Sequence, residues 1–136
     1  MIDSLYVSID GNNIGKLLER HIFCNDLDAL SAFSETLTNH INSLHRYILA
    51  CEGIVYLAGG DNILALVPSQ HITQVIKETR SLEDNGITFS IGIGKTAVAA
   101  YLALKYAKSI VSSDPVYCSD HTFSPYHNPI DPSNIN

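Results

Sequence analysis

Two aspartates carry the clearest chemistry in this chain, each at the end of an apolar run and each beside glycine. Asp10 closes Leu5-Tyr-Val-Ser-Ile-Asp10 and is followed by Gly11-Asn12-Asn13, whereas Asp61 follows Gly59-Gly60 and precedes Asn62. Two carboxylates on neighbouring strand ends are what a divalent metal needs to hold a triphosphate. Mg²⁺ takes oxygen ligands and is usually held by one or two carboxylates together with substrate phosphates and water. Such a metal lowers the pKa of an attacking hydroxyl and neutralises charge at phosphorus. Gly59 and Gly60 let a nucleotide approach the backbone without meeting a Cβ. The amides of Gly11, Asn12, Asn13 and Ile14 can cradle phosphate oxygens where a short helix begins. Singly, these features are commonplace: an Asp ending a strand is usually a turn or capping residue, and Gly-Gly-Asp-Asn is usually a hairpin turn. Their weight depends on the elements that place them.

Leu5 to Asp10 alternates with β-branched and aromatic residues and reads as a strand. A short helix over Ile14 to Arg20 follows, and then a long one. Leu27, Leu30, Phe33, Leu37, Ile41, Leu44 and Ile48 recur at steps of three and four, one apolar helix face, with Asn25 or Asp26 placed to cap it. Gly53 breaks that helix. Ile54 to Leu57 and Ile63 to Val67 flank the glycine turn as an antiparallel hairpin. Pro68 and Ser69 open a helix to about Asp84, which Asn85-Gly86 closes. Ile87 to Ile93 is a fourth strand, and Thr96 caps a last helix whose apolar side includes Val98, Leu102, Leu104, Ala107 and Val111. The order β-α-β-β-α-β plus a C-terminal helix is the ferredoxin-like or palm pattern. It predicts an α+β fold: a four-stranded antiparallel sheet with helices on one face, strands one and three adjacent at its centre. Asp10 and Asp61 then converge at one edge. The expected organisation is a domain over 1–113 and a Pro-rich tail over 114–136, where Val116 and Tyr117 could add a short strand but Pro125, Pro129 and Pro132 argue for an irregular course.

At 136 residues there is room for one domain with a real core. A net charge of -6 argues against a broad grip on duplex nucleic acid, which needs many basic residues against phosphates. It does not exclude a nucleotide, because a bound metal supplies positive charge locally. No apolar run reaches the ~18 residues of a membrane span and no secretion signal opens the chain, so a cytoplasmic protein is expected. Cys24, Cys51 and Cys118 are odd in number with no CxxC pair, as for reduced thiols. The histidines show no zinc spacing.

Four motifs stand in a fixed order: Ser8-Ile-Asp10-Gly-Asn-Asn-Ile-Gly15, Leu57-Ala-Gly-Gly-Asp61-Asn62, Ser90-Ile-Gly-Ile-Gly94 and Ala103-Leu-Lys-Tyr-Ala-Lys108. Together they resemble the GGDEF/CRISPR-polymerase palm superfamily, over nearly residues 3 to 112. The length most resembles the minimal CRISPR polymerase family. The resemblance implies that Asp10 and Asp61 bind the metal, Mg²⁺ or Mn²⁺, and that Gly59 and Gly60 lie against the nucleotide. Lys108, matching the family's Ala-Lys helix motif, would reach the triphosphate. Lys105, three residues earlier, projects to a similar helix face as a second phosphate candidate. The family often has a second acid in the first motif and an Asp or Glu after Gly-Gly-Asp, where this chain has Asn12 and Asn62. Asparagine offers a carbonyl oxygen but neither charge nor basicity. That weighs against two metals and leaves one metal on Asp10, Asp61 and a backbone carbonyl. Catalysis is assigned to Asp10, Asp61 and Asn62.

The activity implied is phosphoryl transfer: ATP is joined and cyclised to a cyclic di- or oligonucleotide, cyclic di-AMP by resemblance, for antiphage defence. Two nucleotides must face each other, which calls for a two-fold homodimer. The resemblance also implies a separate membrane-associated effector that senses the product. Three other readings stand beside this one. They are a nucleotide binder impaired by Asn12 and Asn62, a GGDEF-like cyclase using GTP, and a ferredoxin-like regulatory domain with Asp10 and Asp61 pointing apart.

Overall fold

The computed structural model describes residues 3–84 and 86–127. Asn85, expected to close a helix, and Pro129 and Pro132 lie outside the described residues. The elements run β1 (Ser4–Asn12), α1 (Ile14–Phe23), α2 (Leu27–Ala50), β2 (Ile54–Gly59), β3 (Asn62–Pro68), α3 (Ile72–Ser81), β4 (Thr88–Gly94), α4 (Ala97–Ser109), β5 (Val116–Ser119) and β6 (Thr122–Pro125). A 3₁₀ turn over Ser69–His71 precedes α3, so this helix starts later and ends earlier than the Pro68-to-Asp84 span expected of it.

Local chemistry accounts for the helix ends. Asp26, not Asn25, caps α2, its carboxylate accepting the Ala29 amide at 3.0 Å. Thr96 caps α4 through the Ala99 amide at 3.0 Å. Helix α2 stops because Glu52 takes a left-handed φ of 64°. Gly53 follows at a place where a Cβ would lie 2.7 Å from the Ile48 side chain.

The sheet has six strands in the order β2-β3-β1-β4-β5-β6, so the expected four-stranded sheet is corrected. Nor is it wholly antiparallel: β5 runs parallel to β4, through Gly92↔Val116 to Gly94↔Cys118. The irregular stretch expected after residue 113 is replaced over 116–125 by the β5–β6 hairpin on the same sheet. Strands β1 and β3 are neighbours, as expected.

Helices cover both faces, which corrects the one-face expectation. Strand alternation sends successive side chains to opposite sides. Phe89, Ile91 and Ile93 join Val7, Ile9, Ile63, Ala65 and Val67 beneath α2, whose Leu37, Ile41, Leu44 and Ile48 are buried. Each of these side chains other than Ala65 contributes about 1.5–3 kcal/mol by leaving water. Gly92 and Gly94 face the other way, towards α4. A Cβ on Gly92 would lie 2.3 Å from both the Ala100 carbonyl oxygen and the Leu104 nitrogen. The helix therefore meets the strand backbone directly, and it does so through Ala100, Ala103, Leu104 and Ala107. The larger residues expected on its apolar side are displaced from this contact: Val98 is 67% exposed, and Val111 lies beyond the helix, 87% exposed.

Arg80 and Glu83 fix the start of β4. The Arg80 guanidinium donates to the Phe89 carbonyl at 2.8 Å and to the Ser113 carbonyl, while Glu83 accepts the Phe89 amide at 2.7 Å.

Gly92→Ala is expected to destabilise the fold by at least about 1–3 kcal/mol, the cost of overpacking against backbone that cannot yield. Urea unfolding followed by circular dichroism reads this, and an unchanged midpoint would contradict the contact.

Candidate active site

The turn that carries Asp61 is built by its neighbours. Gly59 pairs with Asn62, which leaves Gly60 and Asp61 as a two-residue turn. Gly60 takes φ 58° at the first central position, where type II′ hairpins favour glycine. The Asp61 carbonyl accepts the Gly11 amide at 2.9 Å, which ties the turn to the end of β1. A Cβ on Gly11 would meet Ile14 at 2.7 Å and the Asp61 Cβ at 3.2 Å, so glycine is needed here for the close approach. Asp10 pairs with Asn62 on one side and Ser90 on the other, in the middle of the sheet.

The two carboxyl groups converge, as expected, with Asp10 the charged neighbour beside Asp61. Burial, then the charge of the neighbouring Asp10, holds the Asp61 carboxyl above the usual carboxylate range; a backbone hydrogen bond and Lys108 pull the other way. A regulatory domain with Asp10 and Asp61 pointing apart is excluded by this geometry.

Lys108 reaches the same point from the last turn of α4. Its ammonium lies 3.2 Å from Asp10 Oδ2 and donates to the Gly11 carbonyl at 2.9 Å and to Asn12 Oδ1 at 3.4 Å. Three oxygens thus gather round the Lys108 ammonium, while the paired carboxylates of Asp10 and Asp61 are the oxygen ligands that suit a hard divalent metal. Among the described residues no group of three or more His, Cys, Asp or Glu exists to cage a metal. Asp10 and Asp61 would hold it, with substrate phosphates and water completing its shell.

The remaining candidates divide by what they already bind. Asn12 is committed: Nδ2 donates to Thr88 Oγ1 at 3.1 Å, and Oδ1 accepts from Ser90 Oγ at 2.8 Å. It steadies Lys108 and does not offer a free oxygen. The Gly11 amide is spent on Asp61, which removes it from the expected phosphate cradle. Asn13 is exposed with a left-handed φ of 58°, and Ile14 is buried while its backbone opens α1. First-turn amides of a helix have no intrahelical partner, so those of α1 stay free for an anion. Gly59 and Gly60 are exposed, with nothing within 4 Å of a Cβ added to either. Lys105 is not at the acids; its ammonium stands over the Tyr101 ring, 5.1 Å from the centroid. Sequence reasoning missed Thr88 and Ser90. Their signal was a pair of hydroxyl residues on alternate positions of a strand otherwise apolar or glycine. A larger cavity of about 680 Å³, lined by residues including Asp3, Lys95, Tyr117 and Tyr126, opens at the other end of β1 and contains none of these groups.

The family model for the minimal CRISPR polymerase domain matches residues 6–117. The chain belongs to the minimal CRISPR polymerase family. That match takes in both aspartates, Lys108 and the start of β5. The domain is similar to GTP cyclohydrolase III of Saccharolobus solfataricus, 38% identical over 64 residues, 47% of this chain. It spans only 27% of that relative's length. Among solved structures it resembles a Csm1–Csm4 cassette in complex with pppApA, at TM-score 0.65 and 14% identity over 82% of this chain and 20% of that one. It also resembles the GGDEF domain of YfiN from Pseudomonas aeruginosa, at TM-score 0.61 and 16% identity over 85% of this chain and 82% of that one. A diguanylate cyclase/phosphodiesterase from Caldicellulosiruptor saccharolyticus matches at TM-score 0.59 and 20% identity, over 90% and 80% of the two chains. These likenesses show a shared palm fold. The minimal CRISPR polymerase domain here thus has the palm-like α+β fold. Among its described residues no helix is long and apolar enough to cross a membrane.

A carboxyl raised in the folded chain binds its proton more tightly there than in the unfolded chain. Stability therefore falls as pH rises from the ordinary carboxylate range through the folded value, and stays lower above it. Asp61→Asn removes that cost. Without divalent metal, the variant is expected to melt above the wild type at neutral pH, the gap closing in strong acid. A variant that melts lower at neutral pH would contradict the crowding of the two carboxyls.

Proposed function

We propose that this chain is a metal-dependent nucleotidyltransferase that joins and cyclises ATP into a cyclic dinucleotide. One observation carries the reading: a carboxyl from β1, a carboxyl from the β2–β3 turn and a lysine from α4 converge beside the open glycines of that turn.

Asp10 and Asp61 would hold Mg²⁺ or Mn²⁺, which would supply charge neutralisation at phosphorus and acidify the attacking ribose hydroxyl. The α1 first-turn amides bind phosphate oxygens. Gly59 gives the nucleotide access to the turn. Lys108 exchanges Asp10 for the triphosphate, where its fixed positive charge interacts more strongly as negative charge develops on the phosphate oxygens in the transition state. The ribose oxygen of a second nucleotide forms a bond to the α-phosphorus, the bond to pyrophosphate breaks, and the hydroxyl proton leaves to solvent. The same step in the opposite sense closes the ring and releases a second pyrophosphate. Positioning and charge stabilisation provide most of the rate in such chemistry. Two sites must face one another for this, which a two-fold homodimer provides. Cyclic di-AMP, antiphage defence and a separate membrane-associated effector complete the proposal and rest on family membership.

A second reading, a cyclase using GTP, is favoured by the similarity to a GTP cyclohydrolase III and to a diguanylate cyclase. A third, an impaired nucleotide binder, rests on Asn62 standing where the family often has an acid.

Incubation with Mg²⁺ and each of the four nucleoside triphosphates, with pyrophosphate assay and mass spectrometry of products, separates these. A cyclic adenine dinucleotide is expected, abolished in Asp61→Ala and made about 10²-fold more slowly by Lys108→Met, the usual loss for one transition-state donor. A guanine product would support the second reading. Nucleotide binding without pyrophosphate release would support the third and overturn the first. Gly59→Ala is expected to keep its melting temperature, because its Cβ would enter open space, yet to weaken ATP binding in calorimetry; unchanged affinity would remove Gly59 from the site.

A further inference from the structure

On the α4 side of the sheet, beside the aspartates, lies a cleft of about 200 Å³. Asn62 and Leu64 lie along its floor, Tyr101, Leu104 and Lys105 of α4 along its roof, and Leu57 of β2 at its rim. Two of these are large, apolar and bare: Leu57 is 54% exposed and Tyr101 52%. The Lys105 ammonium, over the Tyr101 ring, adds positive charge to the lining. Asn62 is half-buried, and its side-chain amide has no hydrogen-bond partner among the described residues. Asn12, by contrast, has both ends of its amide committed. A narrow slot with an aromatic wall, apolar rims and one unspent amide matches a flat heteroaromatic ring with a polar edge.

We propose that this cleft is a nucleobase pocket for an adenine nucleotide, with Tyr101 as its stacking platform and Asn62 reading the base edge. The proposal rests on the nucleotide reading of Asp10 and Asp61 and adds the place where the base binds and the residues that select it. An asparagine amide donates to a ring nitrogen of adenine while accepting from its exocyclic amine, a bidentate match. A carboxylate at the same place has no donor to give. Stacking on an aromatic side chain is tolerant of base identity, so Tyr101 supplies affinity and Asn62 supplies choice. The position where this chain departs from the family's acid thus has work of its own. Lys105, in the lining, meets the phosphate end of the nucleotide.

The test uses AMP, which carries the base without a triphosphate and without need of metal. Isotope-labelled protein is titrated with AMP and GMP and followed by amide chemical shifts. Saturable shifts at Leu57, Asn62, Leu64 and Tyr101 are expected with AMP, and binding about tenfold weaker with GMP, the scale of one lost bidentate contact. Asn62→Asp and Tyr101→Ala are each expected to weaken AMP about tenfold, whereas Tyr101→Phe, which keeps the stack, binds as the wild type does. Shifts confined to the start of α1, around Gly15 and Lys16, would overturn the pocket and leave the nucleotide reading intact. No shift with AMP, nor with ATP and Mg²⁺, would sink both. Equal binding of GMP, or an Asn62→Asp variant that gains turnover with its AMP affinity unchanged, would overturn base reading by Asn62.

Discussion

The site depends on α4 lying directly on the backbone of β4. Gly92 and Gly94 present no side chain on that face, and alanines of the helix fill the space. Close packing of this kind leaves no slack: any added atom must displace main chain. The helix is thereby fixed in height and rotation against the sheet. Its last turn then delivers Lys108 to Asp10, and its middle roofs the cleft over Asn62. The opposite face, where α2 buries branched aliphatic side chains, supplies most of the apolar stabilisation and positions none of the reactive groups itself.

Around that contact the fold keeps charges together that would otherwise separate. Asp10 and Asp61 are held side by side, and burial together with the Asp10 charge keeps the Asp61 carboxyl above its ordinary range. A lysine on three oxygens offsets part of the repulsion, and charge-assisted hydrogen bonds are the strong ones. The Asn12 amide, wired to Thr88 and Ser90 across the β1–β4 register, holds the lysine in place. Local strain and crowding of this sort cluster where a ligand is meant to relieve them. A divalent cation with a polyphosphate would do so.

Much of this was legible in the sequence, for physical reasons that can be named. Long helix periodicity, the Thr96 cap and the Gly-Gly-Asp turn are local signals, and each names its element without tertiary help. The convergence of Asp10 with Asp61 followed from the order of elements. Two features were not legible. Helix α4 packs through alanine on glycine, whereas hydrophobic periodicity weights large residues, so Val98 and Val111 were placed inward and are exposed. The β5–β6 hairpin hides in a polar stretch whose buried apolar signal is only Val116 and Cys118, and Pro125 at its end reads as a breaker. The commitments of Asn12 depend on neighbours 76 and 78 residues away, which no local pattern encodes.

The central claim is that Asp10 and Asp61 form one cation site that works with a bound nucleotide. Its most direct test is a crystal structure of the chain with Mn²⁺ and a non-hydrolysable ATP analogue, read by anomalous scattering. The account predicts a manganese peak about 2.1 Å from oxygens of both carboxylates, with Lys108 moved from Asp10 onto the phosphates. A nucleotide bound with its phosphates away from both aspartates, or a metal that ignores them, would contradict it.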